Sequence, residues 1–400
     1  MPSPVTLRLK PSRHFPFLAR HPWVHSHALA DEGLADEGQT LTPGQVVDLA
    51  DFDGNWVARG MVNPASRLRV RLYAFDPSLE IAEPLWRDRL SAAIRRRRFH
   101  GPAEPDAAER LVFSESDLLS GLIVDRYADC LSVQFTAAVW TPWRDVILDQ
   151  LVELSGCARV FARVDEKTAK LEGMAELSRW VRGEAAGEID YRQNGLRWSV
   201  QLSSGQKTGG YLDQRRNHVA AAGYLRDRRV LDVCCYQGGF GLVAAARGAA
   251  HVIGIDSSEA ALEMARRHAS RNDIDNISFQ KGDCFEALKT LAERGESFDA
   301  VVLDPPRFAG SRRQLDAALR AYTRLNSLAV DLLPPGGILV TCSCSGRVSR
   351  GDFLNVLADV GRRRRRDLVV LQTRGPAPDH PVAAACPESD YLKCVIAEVR

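Results

Sequence analysis

Hydrophobic and polar positions follow different patterns in successive parts of the chain. Up to about residue 75, short alternating stretches separated by turns predict strands at residues 5–9, 46–50, 56–61 and 68–73. An Asp-Gly-Asn turn at residues 53–55 predicts a hairpin. We therefore expect a small β-barrel in residues 1–75.

The next part of the chain mixes helical and strand periodicities. From residue 81 to residue 99 apolar side chains recur at helical spacing. Strands are predicted at residues 123–125, 130–135 and 160–164, around a helix near residues 143–154. This pattern predicts a central α+β domain in residues 76–190.

Beyond residue 190, predicted strands and helices alternate regularly to the end of the sequence. Such alternation favours an α/β fold with a doubly wound, Rossmann-like sheet, whose ligand site lies at the C-terminal ends of the strands. We assign residues 191–400 to this domain. Its predicted strands span residues 230–234, 251–255, 277–280, 300–303, 338–342 and 368–372.

Composition narrows the class of protein. The sequence has no stretch of about twenty apolar residues, and its basic start is not followed by an apolar segment, so we expect neither membrane insertion nor secretion. The nine cysteines lack the spacing of a disulfide framework and the paired C-x-x-C spacing of a structural zinc site. We therefore expect reduced thiols, a cytoplasmic protein and no metal.

Positive charge is clustered, although the net charge of +2 is close to neutral. Arginines cluster at residues 95–98 and at residues 362–366. Clusters of this kind attract polyanions, and for an RNA partner they would supply attraction to phosphates. Each run is also typical of a solvated helix face, so neither run by itself predicts RNA binding.

A glycine turn follows the first strand of the C-terminal domain. Gly238 and Gly239 stand between this strand and a helix beginning at Phe240, where the backbone must bend and leave room for a ligand. A glycine pair also closes ordinary turns. Residues 235–237 stand where a dinucleotide fingerprint has its first glycine, so the motif favours a cofactor without phosphates.

Three carboxylates lie near the ends of the predicted strands. Asp256 ends the second strand about twenty residues after the glycines, where a carboxylate can accept both hydroxyls of a ribose. Asp283 follows the third strand and is placed to meet an adenine amino group, with the amide of Cys284 beside it. Asp232, near the mouth of the first strand, is placed to attract a sulfonium or ammonium group. These features suggest S-adenosylmethionine as the cofactor.

A proline loop follows the fourth strand. The two prolines of Asp304-Pro305-Pro306-Arg307 fix their own φ angles and stiffen the loop. Asp304 is then placed to accept a hydrogen bond from the amino group of a flipped base. Proline pairs also simply end strands, so the position of the loop in the fold is what favours a substrate site.

Two cysteines lie at the end of the fifth strand. Methylation of a pyrimidine at carbon 5 needs a thiolate that adds to carbon 6. Cys344 lies in a polar loop of the kind that holds reactive thiols. Cys342, at the end of the apolar strand, is more typical of a buried and inert thiol. We therefore expect Cys344 to be the nucleophile of a pyrimidine methyltransferase.

Several longer segments resemble one family. Residues 207–215 read K-T-G-G-Y-L-D-Q-R and are similar to its K-T-G-x-Y-L-D-Q-R segment. Leu392-Lys393 is similar to its Y-L-K ending, and Arg20-His21-Pro22-Trp23-Val24 is similar to its opening signature. With the loops at Asp304 and Cys344, the chain resembles the bacterial ribosomal RNA large-subunit methyltransferase I family over essentially its whole length. That family makes 5-methylcytosine in large-subunit rRNA.

The resemblance implies a PUA-like RNA-binding barrel, a central α+β domain and a methyltransferase domain that uses S-adenosyl-L-methionine. It implies RNA as the partner, namely large-subunit rRNA of the 23S type, and it does not decide whether the protein forms a homodimer. The predicted catalytic residues are Cys344 and Asp304. The predicted cofactor-binding residues are Tyr211, Asp213, Arg215, Asp232, Tyr236, Gly238, Gly239, Phe240, Asp256, Ser257, Asp283, Cys284, Asp304 and Pro305.

Alternatives stay open at two points. The cysteine at position 342 leaves a two-cysteine mechanism open, although the proline loop carries no second thiol, which favours a single cysteine.

An amino-group methyltransferase acting on guanine or adenine also uses an aspartate or asparagine followed by prolines, but it needs no cysteine. An RNA-binding assembly factor without turnover has no need of Asp256, Asp283, Asp304 and Cys344 together. We therefore expect an enzyme that methylates carbon 5 of a cytosine.

Overall fold

Two units make up the chain in the computed structural model, which describes residues 4–30, 40–101, 104, 106–203, 209–309 and 312–400. The first unit consists of Met1–Tyr191, Val200–Gly210 and Pro378–Ser389. The second consists of Arg192–Ser199, Tyr211–Ala377 and Asp390–Arg400. None of the described helices is long and apolar enough to cross a membrane.

The described part of the first unit begins with these strands and one short helix: β1 (Val5–Arg8), α1 (Phe15–Leu18), β2 (Trp23–His25), β3 (Val46–Ala50), β4 (Trp56–Val62) and β5 (Leu68–Ala74). The strands form a sheet in the order β1-β3-β4-β5-β2, parallel between β1 and β3 and antiparallel elsewhere. An antiparallel bridge between Leu9 and Leu29 joins the chain just beyond the two edge strands. The sheet therefore closes on itself, as the predicted barrel requires.

A second sheet follows, with its helices: α2 (Glu83–Arg97), β6 (Ala108–Phe113), β7 (Leu122–Tyr127), β8 (Cys130–Phe135), α3 (Arg144–Ser155), β9 (Arg159–Val164), α4 (Glu166–Glu172) and β10 (Leu177–Arg182). Its strand order is β10-β9-β8-β7-β6. Only β8 and β9 are parallel among these paired strands, and helix α3 makes the crossover between them, because parallel neighbours cannot be joined by a tight turn.

Three aromatic rings join these two sheets. Tyr73 on β5, Trp86 on α2 and Trp140 contact one another edge to face, with ring centroids 4.9 to 5.5 Å apart. All three side chains are buried in one hydrophobic cluster. Edge-to-face pairs are favourable beyond the apolar area they bury, so β5 and α2 share a common core.

Residues 378–389 pack with the first unit although they lie late in the sequence. The guanidinium of Arg97 donates to the carbonyl oxygen of Asp379 at 2.9 Å, and the amide of Arg110 donates to the Asp379 carboxylate at 2.8 Å. The sequence analysis placed these residues in the C-terminal domain. The difference arises because their partners lie more than 250 residues earlier in the chain, which no local pattern reveals.

A hairpin follows, formed by β11 (Ile189–Gln193) and β12 (Leu196–Val200). Its turn residues Asn194 and Gly195 have φ angles of 56° and 85°. Two successive left-handed residues are typical of the type I′ turn, for which Asn-Gly is the preferred sequence.

The main sheet of the second unit contains these described strands: β13 (Arg229–Val233), β14 (His251–Asp256), β15 (Ile277–Lys281), β16 (Ala300–Leu303), β17 (Gly337–Ser343), β18 (Leu368–Arg374) and β19 (Lys393–Val399). The helices between them are α5 (Arg215–Ala222), α6 (Gly239–Ala246), α7 (Glu259–Arg271), α8 (Cys284–Glu293), α9 (Leu315–Asp331) and α10 (Arg350–Arg364).

The strand order is β15-β14-β13-β16-β17-β19-β18. The six strands predicted from the alternation are present and run in parallel, which confirms the Rossmann-like α/β fold. The sequence analysis missed β19, which inserts between β17 and β18 and is antiparallel to both. The order reverses between β13 and β16, so the C-terminal ends of these strands border the crevice in which such folds bind ligands.

Both faces of the central strands are buried. On β16, Val301 and Leu303 belong to a cluster that includes residues of α9 and α10. Ala300 and Val302 point to the opposite face, where the cluster includes residues of α5 and α6. Continuous apolar runs are expected for parallel strands covered by helices on both faces. Among the polar residues of these central strands, Asp232 and Ser343 lie near the C-terminal ends.

Candidate active site

The loop between β13 and α6 has an unusual backbone. Cys234, Tyr236 and Gly238 all adopt left-handed conformations, with φ angles of 61°, 50° and 85°. For a residue other than glycine this conformation costs about 1 kcal/mol or more. The amide of Gly238 donates to the carbonyl oxygen of Cys235 at 2.8 Å, which closes the turn. Strain of this kind persists only where the surrounding structure holds it, and it is typical of functional sites.

Gly239 begins α6 against a buried histidine. A Cβ atom at this position would lie 2.6 Å from Cε1 of His218, closer than real contacts allow. The His218 ring also packs edge to face on Phe240, with centroids 4.5 Å apart. Burial lowers the pKa of His218 to about 3, so the ring is neutral. Residue 239 must therefore be a glycine, and the Phe240 side chain beside it lies in the core.

Asp232 is fully buried beneath this turn. One carboxylate oxygen accepts a hydrogen bond from the amide of Gly241 at 2.8 Å, and the other has no partner among the described residues. Burial raises the pKa of Asp232 to about 7. We predicted a carboxylate at the mouth of the strand. The structure instead places it below the surface, where it holds the start of α6.

Asp256 ends β14 beside the turn. Its carboxylate accepts hydrogen bonds from the amides of Tyr236 at 2.8 Å and Ser258 at 2.9 Å. Ser257, between the two, is exposed. Asp256 is partly exposed, so its carboxylate both fixes the turn and remains open to a ligand at the sheet edge.

Asp283 caps α8, which follows β15. Its Oδ1 atom accepts from the amides of Phe285 at 2.9 Å and Glu286 at 3.2 Å, and the residue is exposed. A hydrogen bond between the thiols of Cys284 and Cys234 lowers the pKa of Cys284. The cap explains part of the need for an aspartate here, because capping aspartates stabilise helix starts.

Asp304 follows β16 in the adjacent loop. Its amide donates to the carbonyl oxygen of Val233 at 3.2 Å, and its carboxylate accepts from the side-chain amide of Gln214 at 3.0 Å. Gln214 is buried and in turn accepts from Asn217 at 2.7 Å. Pro305 is buried beside Asp304. A chain of buried amides therefore fixes the orientation of the Asp304 carboxylate.

Cys344 lies just beyond β17. Its thiol donates to the carbonyl oxygen of Pro305 at 3.9 Å, and the residue is partly exposed. The flanking Ser343 and Ser345 are fully buried, with hydroxyls 2.9 and 3.2 Å from the Tyr322 hydroxyl. Both neighbours of Cys344 are therefore anchored inside the protein while the thiol itself reaches the crevice.

Cys342 lies in a different environment. It is fully buried in β17, directly opposite Cys394 on β19. Burial raises its pKa well above the ordinary value, so a thiolate there is unfavourable. The structure therefore supports Cys344 over Cys342 as the reactive thiol.

Comparison with known proteins identifies the family. "Ribosomal RNA large subunit methyltransferase I" of Shewanella denitrificans is 37% identical over 399 residues, covering 99% of each chain. The protein of the same name from Tolumonas auensis is 39% identical over 396 residues, covering 98% of each chain. The chain belongs to the ribosomal RNA large subunit methyltransferase I family. This confirms the resemblance inferred from the sequence.

Family models agree with this large-subunit methyltransferase I assignment. Residues 169–383 match the S-adenosylmethionine-dependent methyltransferase model, and residues 7–75 match the PUA-like domain model. A solved putative methyltransferase from Streptococcus mutans has a TM-score of 0.83 at 17% identity, covering 98% of this chain and 100% of that chain. A putative methyltransferase solved in complex with SAH has a TM-score of 0.84 at the same identity and coverage. The predicted PUA-like domain, methyltransferase domain and S-adenosylmethionine cofactor are confirmed.

The crevice residues of this methyltransferase fit S-adenosylmethionine. The cofactor carries two ribose hydroxyls and no phosphate. Asp256 offers a partly exposed carboxylate to such hydroxyls, and the absence of a Cβ atom at Gly239 lets the backbone turn closely there. Asp232 lies buried beneath the turn and accepts a hydrogen bond from the amide of Gly241, so it holds the backbone that lines the site. The individual cofactor contacts expected from the sequence stay predictions.

The K-T-G-x-Y-L-D-Q-R segment of the family enters the second unit at Tyr211. Lys207 and Thr208 lie outside the described residues. Tyr211 packs edge to face on Tyr236 with centroids 5.0 Å apart, which places it beside the turn. Asp213 is buried and accepts a hydrogen bond from the Tyr391 hydroxyl, and the Arg215 guanidinium donates to the carbonyl oxygen of Leu212 at 3.3 Å. The contact with Tyr236 therefore places Tyr211, one of the three predicted cofactor contacts in this segment, beside the glycine turn.

Most arginines of the two runs form ion pairs with carboxylates in the described structure. Their attraction for RNA phosphates stays a prediction. Arg97 is buried and forms a two-point ion pair with Asp117 at 2.7 Å. The other pairs are Arg96 with Asp117, Arg98 with Glu109, Arg362 and Arg363 with Asp359, and Arg364 with Asp331.

Three possible metal ligands come together in the first unit, although the sequence analysis expected no metal. Single ligand atoms of His21, Cys386 and Glu388 lie within 4.8 Å of one another. The amide of Trp23 donates to Nδ1 of His21, so the proton of the neutral ring lies on Nε2, 3.4 Å from the Glu388 carboxylate. In this tautomer Nε2 offers no free lone pair, so binding a metal there would require the ring to give up the hydrogen bond from Trp23. The arrangement is therefore explained by hydrogen bonds.

Sequence reasoning missed several supporting residues of this family's site. Asp304 is held by Gln214, and the Cys344 loop is held by Tyr322 and Lys393. None of these three supporting residues belongs to a sequence motif that indicates a chemical role. The sequence analysis named Gln214 and Lys393 only as parts of segments that resemble the family, without a role for either side chain. Their contacts depend on strands and loops that the sequence separates widely.

Proposed function

We propose that this protein transfers a methyl group from S-adenosylmethionine to carbon 5 of a cytosine in large-subunit ribosomal RNA, through a bond between Cys344 and carbon 6. One observation carries the proposal. The partly exposed thiol of Cys344 contacts Pro305 at the sheet edge that also bears Asp304 and the glycine turn. The RNA substrate is carried over from the printed names of the relatives, and the PUA-like domain supports it.

The thiol of Cys344 supplies the covalent step. Its proton leaves to solvent, and the thiolate forms a bond to carbon 6 while the electron pair of the carbon 5–carbon 6 double bond moves onto carbon 5. S-adenosylmethionine, when bound, would supply the electrophilic methyl group to carbon 5, with the electron pair of the broken sulfur–methyl bond staying on sulfur and S-adenosylhomocysteine leaving. Loss of the carbon 5 proton then restores the double bond, the bond to sulfur breaks, and Cys344 is again a thiolate.

Asp304 orients the base in this proposal. Its carboxylate is fixed by Gln214 at 3.0 Å, and the following Pro305 and Pro306 restrict the loop. A carboxylate held in this way accepts a hydrogen bond from the amino group of cytosine, which uracil lacks. Asp304 thereby gives the site its preference for cytosine over uracil.

We propose the following domain roles. Residues 1–75 form the PUA-like RNA-binding domain, residues 76–190 form the central α+β domain, and residues 191–400 form the methyltransferase domain. The glycine turn at Gly238 and Gly239 would hold the cofactor, with Asp256 accepting hydrogen bonds from its ribose. Asp283 and the amide of Cys284 would contact its adenine.

Methyl transfer to rRNA tests the proposal. Large-subunit rRNA lacking its natural modifications is incubated with labelled S-adenosylmethionine and three proteins: wild type, Cys344→Ala and Cys342→Ala. The labelled nucleosides are identified by mass. We expect labelled 5-methylcytosine from wild type and from the Cys342→Ala control, and a loss of at least a thousandfold in Cys344→Ala.

Other outcomes would point elsewhere. Label on an amino group of guanine or adenine that survives in Cys344→Ala would replace the proposal with an amino-group methyltransferase. An absence of label with every protein, despite measured cofactor binding, would favour an RNA-binding protein without turnover on this RNA.

A further inference from the structure

Lys393 is a buried lysine at the start of β19. Its side chain is 2% exposed, and the residue lies directly opposite Ser343 of β17. Within the described residues it has no ion pair with a carboxylate. Burying an ammonium without an anionic partner is costly, so such a lysine is rarely retained for stability alone. A role beyond stability is therefore expected for the buried ammonium of Lys393.

The ammonium of Lys393 binds two backbone carbonyls. It donates to the carbonyl oxygen of Ser345 at 2.7 Å and to that of Tyr391 at 2.8 Å. The Ser345 carbonyl also accepts from the amide of Val348 at 3.0 Å. Lys393 therefore holds the peptide unit immediately after Cys344 and fixes the path of the loop.

The charges around Lys393 include the proposed nucleophile. Burial lowers the pKa of Lys393 to about 8, while the negative charges of Asp390 and of a Cys344 thiolate raise it. Arg350 and Asp352 on α10 act with smaller and opposite effects. Asp390 is partly exposed and pairs with Arg350 at 3.6 Å, and Asp352 is bonded to Ser349 in a helix cap. The other anions near Lys393 therefore have partners of their own.

We propose that Lys393 is a positioning residue for Cys344, holding its loop through the Ser345 carbonyl and favouring the thiolate through its ammonium. This inference rests on the proposed function, since it assigns Lys393 to the same site. A thiolate is the reactive form of cysteine, and a nearby cation stabilises it. The buried ammonium of Lys393 is thereby compensated by the thiolate of Cys344, which is the form that attacks the base.

Alkylation of Cys344 as a function of pH tests the proposal without methyl transfer. Wild type, Lys393→Met, Lys393→Gln and Lys393→Arg are treated briefly with iodoacetamide between pH 5.5 and pH 10, and modification at Cys344 is followed by peptide fragmentation mass spectrometry. We expect the midpoint of alkylation to move up by about one pH unit or more in the methionine and glutamine variants. Lys393→Arg, which keeps the charge, should shift it less.

Lys289→Met serves as the matched control. Lys289 is an exposed lysine of α8 with 57% of its side chain accessible, so the variant removes the same charge away from the loop. Its alkylation midpoint should equal that of wild type. Thermal unfolding and binding of S-adenosylhomocysteine are measured for every variant, and glutamine, which keeps donors for the two carbonyls, replaces methionine if Lys393→Met does not fold.

The outcomes separate this inference from the proposed function. An unchanged midpoint in the folded uncharged variants overturns the role of Lys393, even if methyl transfer depends on Cys344. A raised midpoint together with methyl transfer that survives in Cys344→Ala keeps the Lys393–Cys344 relationship and overturns the proposed function. A raised midpoint with the activity profile displaced equally to higher pH supports both.

Discussion

The thiol of Cys344 lies 3.9 Å from the carbonyl oxygen of Pro305. The two residues are nearly forty positions apart in the sequence, but they follow adjacent parallel strands, in which Leu303 pairs with Thr341. Their loops must therefore meet at one edge of the sheet. This contact brings the proposed nucleophile to the loop that carries Asp304.

A substrate analogue should trap the proposed adduct. In RNA that contains 5-fluorocytosine, carbon 5 carries fluorine in place of the proton, and fluorine cannot leave as a cation. We expect wild type to form a denaturation-resistant complex with this RNA in the presence of S-adenosylmethionine, seen as a shifted band on a denaturing gel. Cys344→Ala should give no such band.

The buried Cys342 provides the comparison for this experiment. Because its side chain is fully buried, Cys342→Ala should form the complex as wild type does. A complex formed by Cys344→Ala but lost in Cys342→Ala would move the nucleophile to position 342 and show that the loop rearranges.

Gly239→Ala should destabilise the protein through His218. The new Cβ atom would lie 2.6 Å from a buried ring that also packs on Phe240, so either the ring or the turn must shift. We expect the free energy of unfolding to fall by about 1–3 kcal/mol. The affinity for S-adenosylhomocysteine, measured by calorimetry, should fall with it.

Two further variants check that explanation. His218→Ala removes the clashing atoms, so Gly239→Ala should cost less in that background than in wild type. Gly187→Ala is the control, since a Cβ atom there would meet nothing within 4 Å, and it should leave stability unchanged. Equal costs of Gly239→Ala in both backgrounds would exclude the clash as the cause.

Asp232 should make stability depend on pH. Burial raises its pKa to about 7, above the ordinary value of 3.8, so the folded protein keeps this proton over a pH range in which the unfolded chain has lost it. The resulting stabilisation is fully present below pH 3.8 and is lost as the pH rises through 7. Between pH 5 and pH 8.5 the loss is about 3 kcal/mol.

Asp232→Asn should remove that dependence, because asparagine does not titrate and still offers an oxygen to the amide of Gly241. We expect the Tm of the variant, taken relative to wild type without cofactor, to be higher at pH 8.5 than at pH 5. Asp275→Asn, which changes an exposed carboxylate, is the control. The same Tm difference at both pH values would show that Asp232 does not titrate in this range.

The sequence by itself determined six strands of the main sheet and the candidate residues at their ends, but not β19. Ala300–Leu303 is apolar at every position because a central parallel strand is covered on both faces. Gly238 was recognisable because the turn after β13 needs a left-handed residue there, and it has a φ of 85°. Asp304 and Cys344 could be proposed from the sequence because few residue types can orient a base or attack carbon 6.

The tertiary structure decided which of these groups are accessible, charged or paired. The position of Asp232 in the sequence predicted a carboxylate that attracts a cationic ligand. The structure buries Asp232 under α6, and this burial depends on the packing of that helix. In the sequence, Arg97 is part of a basic run. In the structure its guanidinium forms an ion pair with Asp117, a partner that the periodicity of the sequence does not reveal. Lys393 lies behind the Cys344 loop only because β19 inserts beside β17. Local patterns record which face of an element is buried, whereas these contacts join residues distant in sequence, and only the complete fold brings them together.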